Sequence, residues 1–344
     1  MAATINDIAR TAGVSRTTVS RVLNDSGYVK EETREKILKA IQELNYTPSA
    51  IARSLSTNRT NTIGVIVPEI NNPFFGEIIK GISQVADEHN LNIILFNTDD
   101  TRDKELKALK ILKEQRIQGI IITPTYPEDK FNREYLNTLK SLNIPVVLMD
   151  GHVEYSNFSG VFIDHIKGAF DGTMALIEEG HSKIAIITGD MNSRPARDRL
   201  TGYKNALVLN HISVNKRYIF HGNYKHESAY RITKQILDME DRPTAIFVMS
   251  NMMILGCMKA IYEENVNVPG DIAIMGFDKV DALNIVGMNI SFINGPTIEM
   301  GRTGMELLID NLYKKGGNKE LKRITLLPKL VLKGSEKYIK NKCK

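Results

Sequence analysis

The sequence is poor in cysteine and contains no long apolar run. Its 344 residues include two cysteines, Cys257 and Cys343, and their spacing fits neither a metal-binding nor a redox motif. We interpret them as a small buried thiol and a thiol in the C-terminal tail. No apolar run approaches the roughly 20 residues that a membrane-spanning helix needs, and the N-terminus lacks the apolar core of a signal peptide. These absences predict a protein of the reducing cytoplasm.

Sequence motifs of common enzyme classes are also missing. There is no Gly-x-x-x-x-Gly-Lys-Ser/Thr loop, no Gly-x-Ser-x-Gly elbow, no His-Glu-x-x-His and no Cys-x-x-Cys. His221 and His226 are five positions apart across a predicted strand-to-helix turn, but no third metal ligand accompanies them. We therefore expect no enzyme, no metal site and no cofactor, whereas turnover of a tightly bound ligand would argue for an enzyme.

Positive charge is concentrated at the two ends of the chain. Residues 1–60 carry nine Lys or Arg against six Asp or Glu, and residues 329–344 carry six Lys against one Glu. The net charge of the whole chain is +5, so the middle of the chain is slightly acidic. A basic N-terminal segment suits a nucleic-acid partner. We expect residues 336–344 to form a basic, solubilising tail rather than a second DNA site.

Two short helical patterns flank a Gly-Val turn near the N-terminus. Thr4 is placed to cap the first helix and Ser15 the second, and Gly13 can take the positive φ of a tight turn. The apolar stripe of the second helix includes Val19 and Val22. The polar side chains on its outer face are Arg16, Thr17, Thr18, Ser20 and Arg21. A helix face with hydrogen-bond donors and no carboxylates suits a helix that lies in the major groove of DNA. Two such helices could also be ordinary surface helices.

A third amphipathic helix over residues 31–46 strengthens the DNA-binding interpretation. Pro48 ends this helical extension, which bounds a predicted helix-turn-helix domain at residues 1–48. The next segment, residues 49–61, contains a short helical pattern that is too small to bury itself.

From residue 62 onward, short apolar runs alternate with amphipathic helices. The predicted strands are 63–68, 92–97, 119–123, 145–149, 161–164, 183–188, 218–221, 245–249 and 272–276. The predicted helices between them include 75–89, 102–115, 167–180, 195–209, 226–239 and 252–264. This repetition builds parallel sheets with helices on both faces. Nine strands are more than one sheet of this kind usually contains, so the pattern predicts two lobes.

Several segments match one family in order and in spacing. They are Gly13-Val14-Ser15, Thr18–Asn24, Glu32–Arg34, Asn45-Tyr46-x-Pro48, Ala52–Leu55, Asn61–Pro68 and Asn72–Phe75. Over essentially its whole length the chain resembles the LacI/GalR family of transcription regulators. The resemblance implies an α/β protein with an N-terminal three-helix helix-turn-helix headpiece and a hinge helix. A periplasmic-binding-protein-like core of two Rossmann-like parallel-sheet lobes would follow, joined by three crossovers around a ligand cleft.

The resemblance also implies domain boundaries. We expect the headpiece at residues 1–48, the hinge and linker at 49–61 and the effector-binding core at 62–335. Lobe 1 is expected at about 62–164 and 291–324, and lobe 2 at about 165–290 and 325–335. The chain would re-enter lobe 1 near residue 291, form a helix over 297–312 and cross back near residue 325.

The same resemblance implies how DNA would be read. A two-fold dimer would read two half-sites of a pseudo-palindromic operator. The residues after 333 lack the heptad pattern of a tetramerising segment, so we predict a dimer. Arg16 and Thr17 are the candidates for base reading, and Leu55 matches the family residue that wedges into the minor groove. Ser56 stands where relatives often have Arg or Lys, so one phosphate contact is expected to be missing. The expected DNA-binding residues are Thr4, Ser15, Arg16, Thr17, Thr18, Ser20, Arg21, Asn24, Tyr28, Ala52, Arg53 and Leu55.

In such sheets ligands lie at the carboxyl ends of the strands. Arg199 and Asp278 match the family's recurrent effector contacts, although they could be a surface arginine and a helix-capping aspartate. His165 is either a pH-sensitive ligand contact or a structural histidine, and Arg197 is either a second cation in the site or a solvated side chain. The expected effector-binding residues are Phe75, Asp150, His165, Arg197, Arg199, Tyr224, Asn251 and Asp278.

Together these features predict a cytoplasmic, nucleoid-associated repressor of carbohydrate uptake or catabolism genes. Its effector would be a sugar, a sugar acid or a sugar phosphate, with a protein co-regulator as the alternative. Arg199 and the amide of Asn251, where many relatives have a carboxylate, favour an anion on charge alone. Whether the effector induces or co-represses stays open. The core alone also resembles periplasmic sugar-binding proteins, but residues 1–60 and the missing signal peptide argue against that function.

Overall fold

The computed structural model describes residues 3–46, 60–124, 137, 144–151, 153, 157–313 and 321–338. These residues form two compact units, divided between Asn61 and Thr62. The expected hinge contacts Ala52, Arg53 and Leu55 lie outside the described residues, as do Ser56 and Cys343. Within the described ranges, no helix is both long enough and apolar enough to cross a membrane.

The described part of the N-terminal unit contains three helices, α1 (Ile5–Ala12), α2 (Arg16–Leu23) and α3 (Glu31–Glu43). They pack around a small core of buried side chains that all three helices supply. Its members are Ile8, Val19, Val22, Ile37 and Ala40. Gly13 ends α1 with φ +64°, which is the turn conformation that the sequence predicted.

The described residues of the larger unit form two six-stranded sheets, and their helices begin and end close to the predicted positions. The first sheet contains β1 (Thr62–Val67), β2 (Asn92–Asn97), β3 (Gly119–Ile122), β4 (Val146–Met149), β5 (Ser159–Ile163) and β11 (Arg323–Leu326). The second contains β6 (Ile184–Thr188), β7 (Ile219–His221), β8 (Ala245–Val248), β9 (Ala273–Phe277), β10 (Ser291–Asn294) and β12 (Lys329–Val331). The helices are α4 (Pro73–Glu88), α5 (Arg102–Glu114), α6 (His165–Glu178), α7 (Arg194–Leu209), α8 (His226–Leu237), α9 (Asn251–Glu263), α10 (Asp281–Ile285) and α11 (Thr297–Tyr313).

Each sheet orders its strands as in a doubly wound fold. The first runs β11-β5-β4-β3-β1-β2 and the second β12-β10-β9-β8-β6-β7. All paired strands are parallel except β12, which runs antiparallel to β10. Helices cover both faces, so the central strands are buried on both sides and consist of continuous apolar runs. In β1, for example, Val65 and Ile66 pack into separate clusters on opposite faces of the sheet.

The lobe boundary near residue 291 differs from the prediction. Ser291–Asn294 does not begin the return to lobe 1, because its backbone pairs with β9 and β12 of the second sheet. The chain crosses to lobe 1 only between β10 and α11, and it crosses back between β11 and β12. With the first crossover between β5 and α6, the core therefore has the three expected crossovers, although two of them lie a few residues later than predicted.

The predicted tail also begins too early. Glu336 is buried, and its carboxylate accepts hydrogen bonds from the Ser291 hydroxyl and from Gly334 N. The backbone oxygen of Ser335 accepts from Ile274 N, and the ring of Tyr338 packs edge-on against His181. The packed part of lobe 2 therefore extends at least to residue 338. The lysine-rich composition of this segment gave no sign of these contacts.

Cys257 provides a direct check on the lobe 2 core. Its thiol is completely buried in α9, and burial raises its pKa to about 12. Because the thiolate is the reactive form, we expect native Cys343→Ser protein to show no rapid reaction with Ellman's reagent near pH 8. One thiol should react after unfolding in urea. A rapidly reacting thiol in the native variant would contradict the burial of Cys257.

Candidate functional site

The N-terminal helices expose the polar face that the sequence predicted. The side chains of Arg16, Thr17 and Arg21 are exposed on α2, while Val19 and Val22 face the core. Residues three or four apart share a helix face, so Thr17 and Arg21 lie on the same side. This face can present two guanidinium groups and a hydroxyl to a DNA groove.

Hydrogen bonds within the headpiece already engage several of the other predicted DNA contacts. Ser15 caps α2 by accepting from Thr18 N at 3.1 Å, and the two hydroxyls are 2.9 Å apart. Asn24 ends the same helix and donates to the Ser20 hydroxyl at 3.2 Å. These four residues therefore fix the ends of α2, while Tyr28 is 86% exposed beyond it.

Thr4 and Asp7 form a capping box at the start of α1. Asp7 N donates to the Thr4 hydroxyl at 3.4 Å, and Thr4 N donates to the Asp7 carboxylate at 3.0 Å. We expect Thr4→Ala to lower the stability of the headpiece by about 1 kcal/mol, as measured by urea unfolding followed by circular dichroism. Thr4→Ser, which keeps the hydroxyl, should unfold like the natural protein; an equal loss in both variants would contradict the capping role.

The second site is a cavity of about 360 Å³ between the two lobes. It lies where the carboxyl ends of strands in both sheets face each other, as expected for doubly wound sheets. Five of the predicted effector residues line it: Phe75, Asp150, Arg199, Tyr224 and Asp278. Asn251 lies beside an adjoining cavity, and His165 lies behind Arg199, as described below.

Arg199 is buried and its guanidinium is held from several directions. Nη1 donates to the backbone oxygen of Met249 at 2.5 Å, and Nε donates to His165 Nδ1 at 3.2 Å. The guanidinium also lies 3.9 Å from the centre of the Phe277 ring. This arrangement excludes the alternative of a surface arginine, since only 4% of the residue is exposed. The group is thus preorganised for a ligand.

Asp278 provides a buried acceptor beside this arginine. Its Oδ2 lies 4.0 Å from Arg199 Nη2. Its Oδ1 is buried and, among the described residues, has no hydrogen-bond partner. Burial raises the pKa of the Asp278 carboxyl, although Arg199 opposes the shift. A ligand hydroxyl or N–H would satisfy the unpartnered oxygen, which is costly to leave unsatisfied.

Aromatic side chains form the apolar part of the wall. Phe74 and Phe75 stack edge to face with ring centres 5.2 Å apart, and the Tyr224 hydroxyl is 2.8 Å from the Ser193 hydroxyl. Gly189 makes room for Tyr224, because a Cβ there would lie 2.0 Å from the tyrosine Cζ. Rings of this kind can cover the apolar face of a sugar or a planar base.

Two polar contacts connect the lobes at the rim of the cleft. Lys225 Nζ of lobe 2 lies 3.1 Å from a Glu69 carboxylate oxygen of lobe 1. Asn251 Nδ2 donates to Asn72 Oδ1 at 2.9 Å, and Asn72 also caps α4 by accepting from Phe74 N. Asn251 therefore ties the lobes together in this conformation.

Arg197 does not reach the cavity. Its Nη1 donates to the backbone oxygens of Met191 and Asn192 at 3.0 and 2.8 Å, so its side chain stabilises the loop before α7. Arg197 and Arg199 are two positions apart and face different sides of α7, so the structure does not bring them together, and the role of Arg197 as a second effector-binding cation stays a prediction.

Several lining residues escaped the sequence prediction. Glu69, Asp100, Arg194, Lys225 and Glu227 all border the cavity. Each follows a strand end by a few residues, so the strand-end rule could have found them. Burial raises the pKa of Asp100, while Lys225 opposes the shift. Among the described residues, the lining has five carboxylates against three Lys or Arg side chains, so this part of the lining has no excess of positive charge.

Comparison with known proteins gives these two sites their context. Residues 4–49 match the family described as "Bacterial regulatory proteins, lacI family". Residues 60–335 match "Periplasmic binding proteins and sugar binding domain of LacI family". The chain belongs to the LacI family. It is a DNA-binding transcriptional repressor with an effector-binding domain.

Individual relatives agree with this assignment over nearly the full chain. The chain is 36% identical to the HTH-type transcriptional repressor PurR of Vibrio atlanticus (strain LGP32), over 93% of this chain and 95% of that protein. It is 34% identical to the ribose operon repressor of Haemophilus influenzae, over 97% and 98%. The solved Lac repressor dimer, bound to operator and the anti-inducer ONPF, superposes with a TM-score of 0.85 at 27% identity, covering 98% and 100%. These relatives are repressors rather than enzymes, which confirms the expectation for this chain.

Proposed function

We propose that this repressor controls carbohydrate uptake or catabolism genes and responds to an uncharged sugar in the interlobe cavity. The observation that carries the proposal is the pair formed by Arg199 and Asp278. The arginine offers donors and the aspartate offers an unpartnered acceptor in one buried place. Vicinal hydroxyls can accept from the first and donate to the second, and such charge-assisted bonds are strong.

The charges of the cavity support a neutral ligand over the anion that the sequence favoured. Asp278 balances Arg199, and Glu69 balances Lys225. A sugar acid or sugar phosphate would add negative charge to a lining in which the described residues already supply more carboxylates than cations. Bringing like charges together in a partly buried site is unfavourable. The names of the relatives point both to a purine regulator and to a ribose operon regulator, so purines belong in the test.

A thermal-shift screen of the full chain would test the effector class. The panel would contain neutral sugars, sugar acids, sugar phosphates and purine bases, with Asp278→Asn as the matched variant. A bound ligand raises the melting temperature by mass action. We expect a neutral sugar to stabilise the natural protein and to have no effect on Asp278→Asn. Stabilisation by an anion or a purine alone would contradict the sugar proposal. An unchanged melting temperature with every compound of the panel would favour a protein co-regulator.

We further propose that the repressor binds a pseudo-palindromic operator as a homodimer. The proposed base-reading residues are Arg16 and Thr17, with the remaining exposed polar groups of the headpiece and the hinge residues on the DNA backbone or in the minor groove. One headpiece reads few base pairs, and two related by a two-fold axis read two half-sites. Sedimentation analysis with a selected operator should give two chains per duplex; one chain per duplex would contradict the proposal.

A further inference from the structure

His165 occupies a position between an effector contact and the opposite lobe. It is the first residue of α6 in lobe 2, and its Nε2 lies 2.8 Å from Asp150 Oδ1, which follows β4 in lobe 1. Its Nδ1 accepts a hydrogen bond from Arg199 Nε. Only 4% of His165 is exposed. One imidazole therefore joins both lobes and the arginine of the ligand cavity.

The partners of this imidazole determine its protonation state. Arg199 Nε always carries a proton and can only donate, so His165 Nδ1 must be unprotonated. The carboxylate of Asp150 accepts, so Nε2 must carry the hydrogen. The observed geometry therefore requires the neutral Nε2–H tautomer. A second proton on Nδ1 would face the Arg199 guanidinium and break that bond.

Asp150 connects the same contact to the first crossover between the lobes. Its Oδ1 accepts from Ile163 N at 3.2 Å, at the end of β5 and just before α6. Its own backbone N donates to Val161 O. Hydrogen bonds through Asp150 thus link His165 to the segment where the chain passes from lobe 1 to lobe 2.

We propose that His165 is the positioning residue that couples Arg199 to lobe orientation, and that its protonation uncouples them. The inference rests on the proposed function, because Arg199 is the effector contact. His165 would act behind the cavity rather than touch the ligand. Among the described residues, Asp150 and Arg199 contact the ring, and Asp278 interacts with it electrostatically. The other charged groups that line the same cavity as His165 are Asp164 beside it, Arg194 and Asp198 from α7 and Arg323 from β11. The two directly bonded groups, Asp150 and Arg199, have opposite charge, so protonation strengthens the first contact and breaks the second.

Glutamine provides a matched control for this role. Its amide offers one donor and one acceptor with a spacing similar to that of the two imidazole nitrogens, and it does not titrate. His165→Gln can therefore keep the donor and the acceptor of the neutral imidazole at every pH. His165→Ala removes both bonds and tests whether the side chain is needed at all.

The first test is nuclear magnetic resonance of the ¹⁵N-labelled full chain without ligand or DNA. Near pH 8, we expect an Nε2–H tautomer signal that disappears in His165→Gln. The Arg199 Nε–H signal, assigned with Arg199→Lys, should be visible in both proteins. On acidification until the ring ¹⁵N signals of His165 show that it is protonated, the Arg199 Nε–H signal should be lost in the natural protein and retained in His165→Gln. An Nδ1–H tautomer, or the same pH course in both proteins, would overturn the proposal.

The second test measures lobe orientation by the distance between two spin labels. The labels would be attached at Lys110→Cys in α5 and Lys204→Cys in α7, which are exposed positions, in a Cys343→Ser background. We expect His165→Ala to shift or broaden the distance distribution near pH 8, and His165→Gln to match the natural side chain. An unchanged distribution in His165→Ala would overturn the coupling. Because neither test uses an effector, failure of the sugar proposal would leave their results intact.

Discussion

Replacing Arg199 with alanine should reduce effector affinity by at least about 100-fold. The variant removes the guanidinium donors of Arg199 and leaves the Asp278 carboxylate buried without the Arg199 cation beside it. Breaking a buried pair by removing one partner commonly costs about 3–5 kcal/mol. The measurement is isothermal titration calorimetry with the sugar that gives the largest thermal shift in the panel.

Arg197→Ala is the contrasting variant, because its guanidinium binds loop carbonyls outside the cavity. We expect it to change the affinity less than about tenfold. The double variant Arg199→Ala with Asp278→Asn should be more thermally stable than Arg199→Ala, because it no longer buries an uncompensated carboxylate. It should not recover effector binding. If Arg199→Ala bound the sugar normally, the cavity would have to be read by other residues.

Replacing Ile37 with alanine should abolish operator binding without touching a DNA contact. Ile37 is completely buried in α3 at the centre of the small headpiece core. Its truncation should cost about 2–5 kcal/mol, which is a large share of the stability of so small a unit. We expect a loss of operator affinity on the order of 100-fold or more, measured by fluorescence anisotropy.

The matched control is Leu38→Ala, because Leu38 is the next residue of α3 and is 48% exposed. It should bind operator nearly normally. Both variants should bind the effector normally, since the core is a separate compact unit. Equal operator affinity for Ile37→Ala and the natural protein would contradict the assignment of DNA binding to the three-helix unit.

The sequence predicted the fold well because each element depends on local patterns. Capping residues such as Thr4 and Ser15, the turn at Gly13 and apolar strands buried on both faces are all short-range signals. The predicted start of the helix after β1 was two residues late because Asn72 and Pro73 form the cap and the first turn. The start of α6 was late for a similar reason, since Asp164 caps it by accepting from Lys167 N.

The errors concern pairings between distant residues. Ser291–Asn294 belongs to the second sheet because of its partners in β9 and β12, and no local pattern records those partners. The buried role of Glu336 depends on Ser291, which is 45 positions away. A strand-end rule found Arg199 and Asp278, but only the assembled cleft shows that Asp278 offsets the arginine charge and weakens the case for an anionic effector.

The roles of His165 and Arg197 could not be decided from sequence for the same reason. Both were candidate effector contacts, and in the structure both form hydrogen bonds within the protein. The direction of a side chain at the start of a helix depends on what packs against it. For His165 those partners are Asp150 from lobe 1 and Arg199 from α7.

We propose that an effector in the cleft controls operator binding by the headpiece. The most direct test is a linkage measurement with a selected operator duplex and the sugar identified in the screen. Operator affinity would be measured with and without saturating sugar, and sugar affinity with and without saturating operator. We expect both affinities to change by the same factor, in the range of about 5- to 150-fold. Independent binding, with neither affinity altered by the other ligand, would contradict the claim.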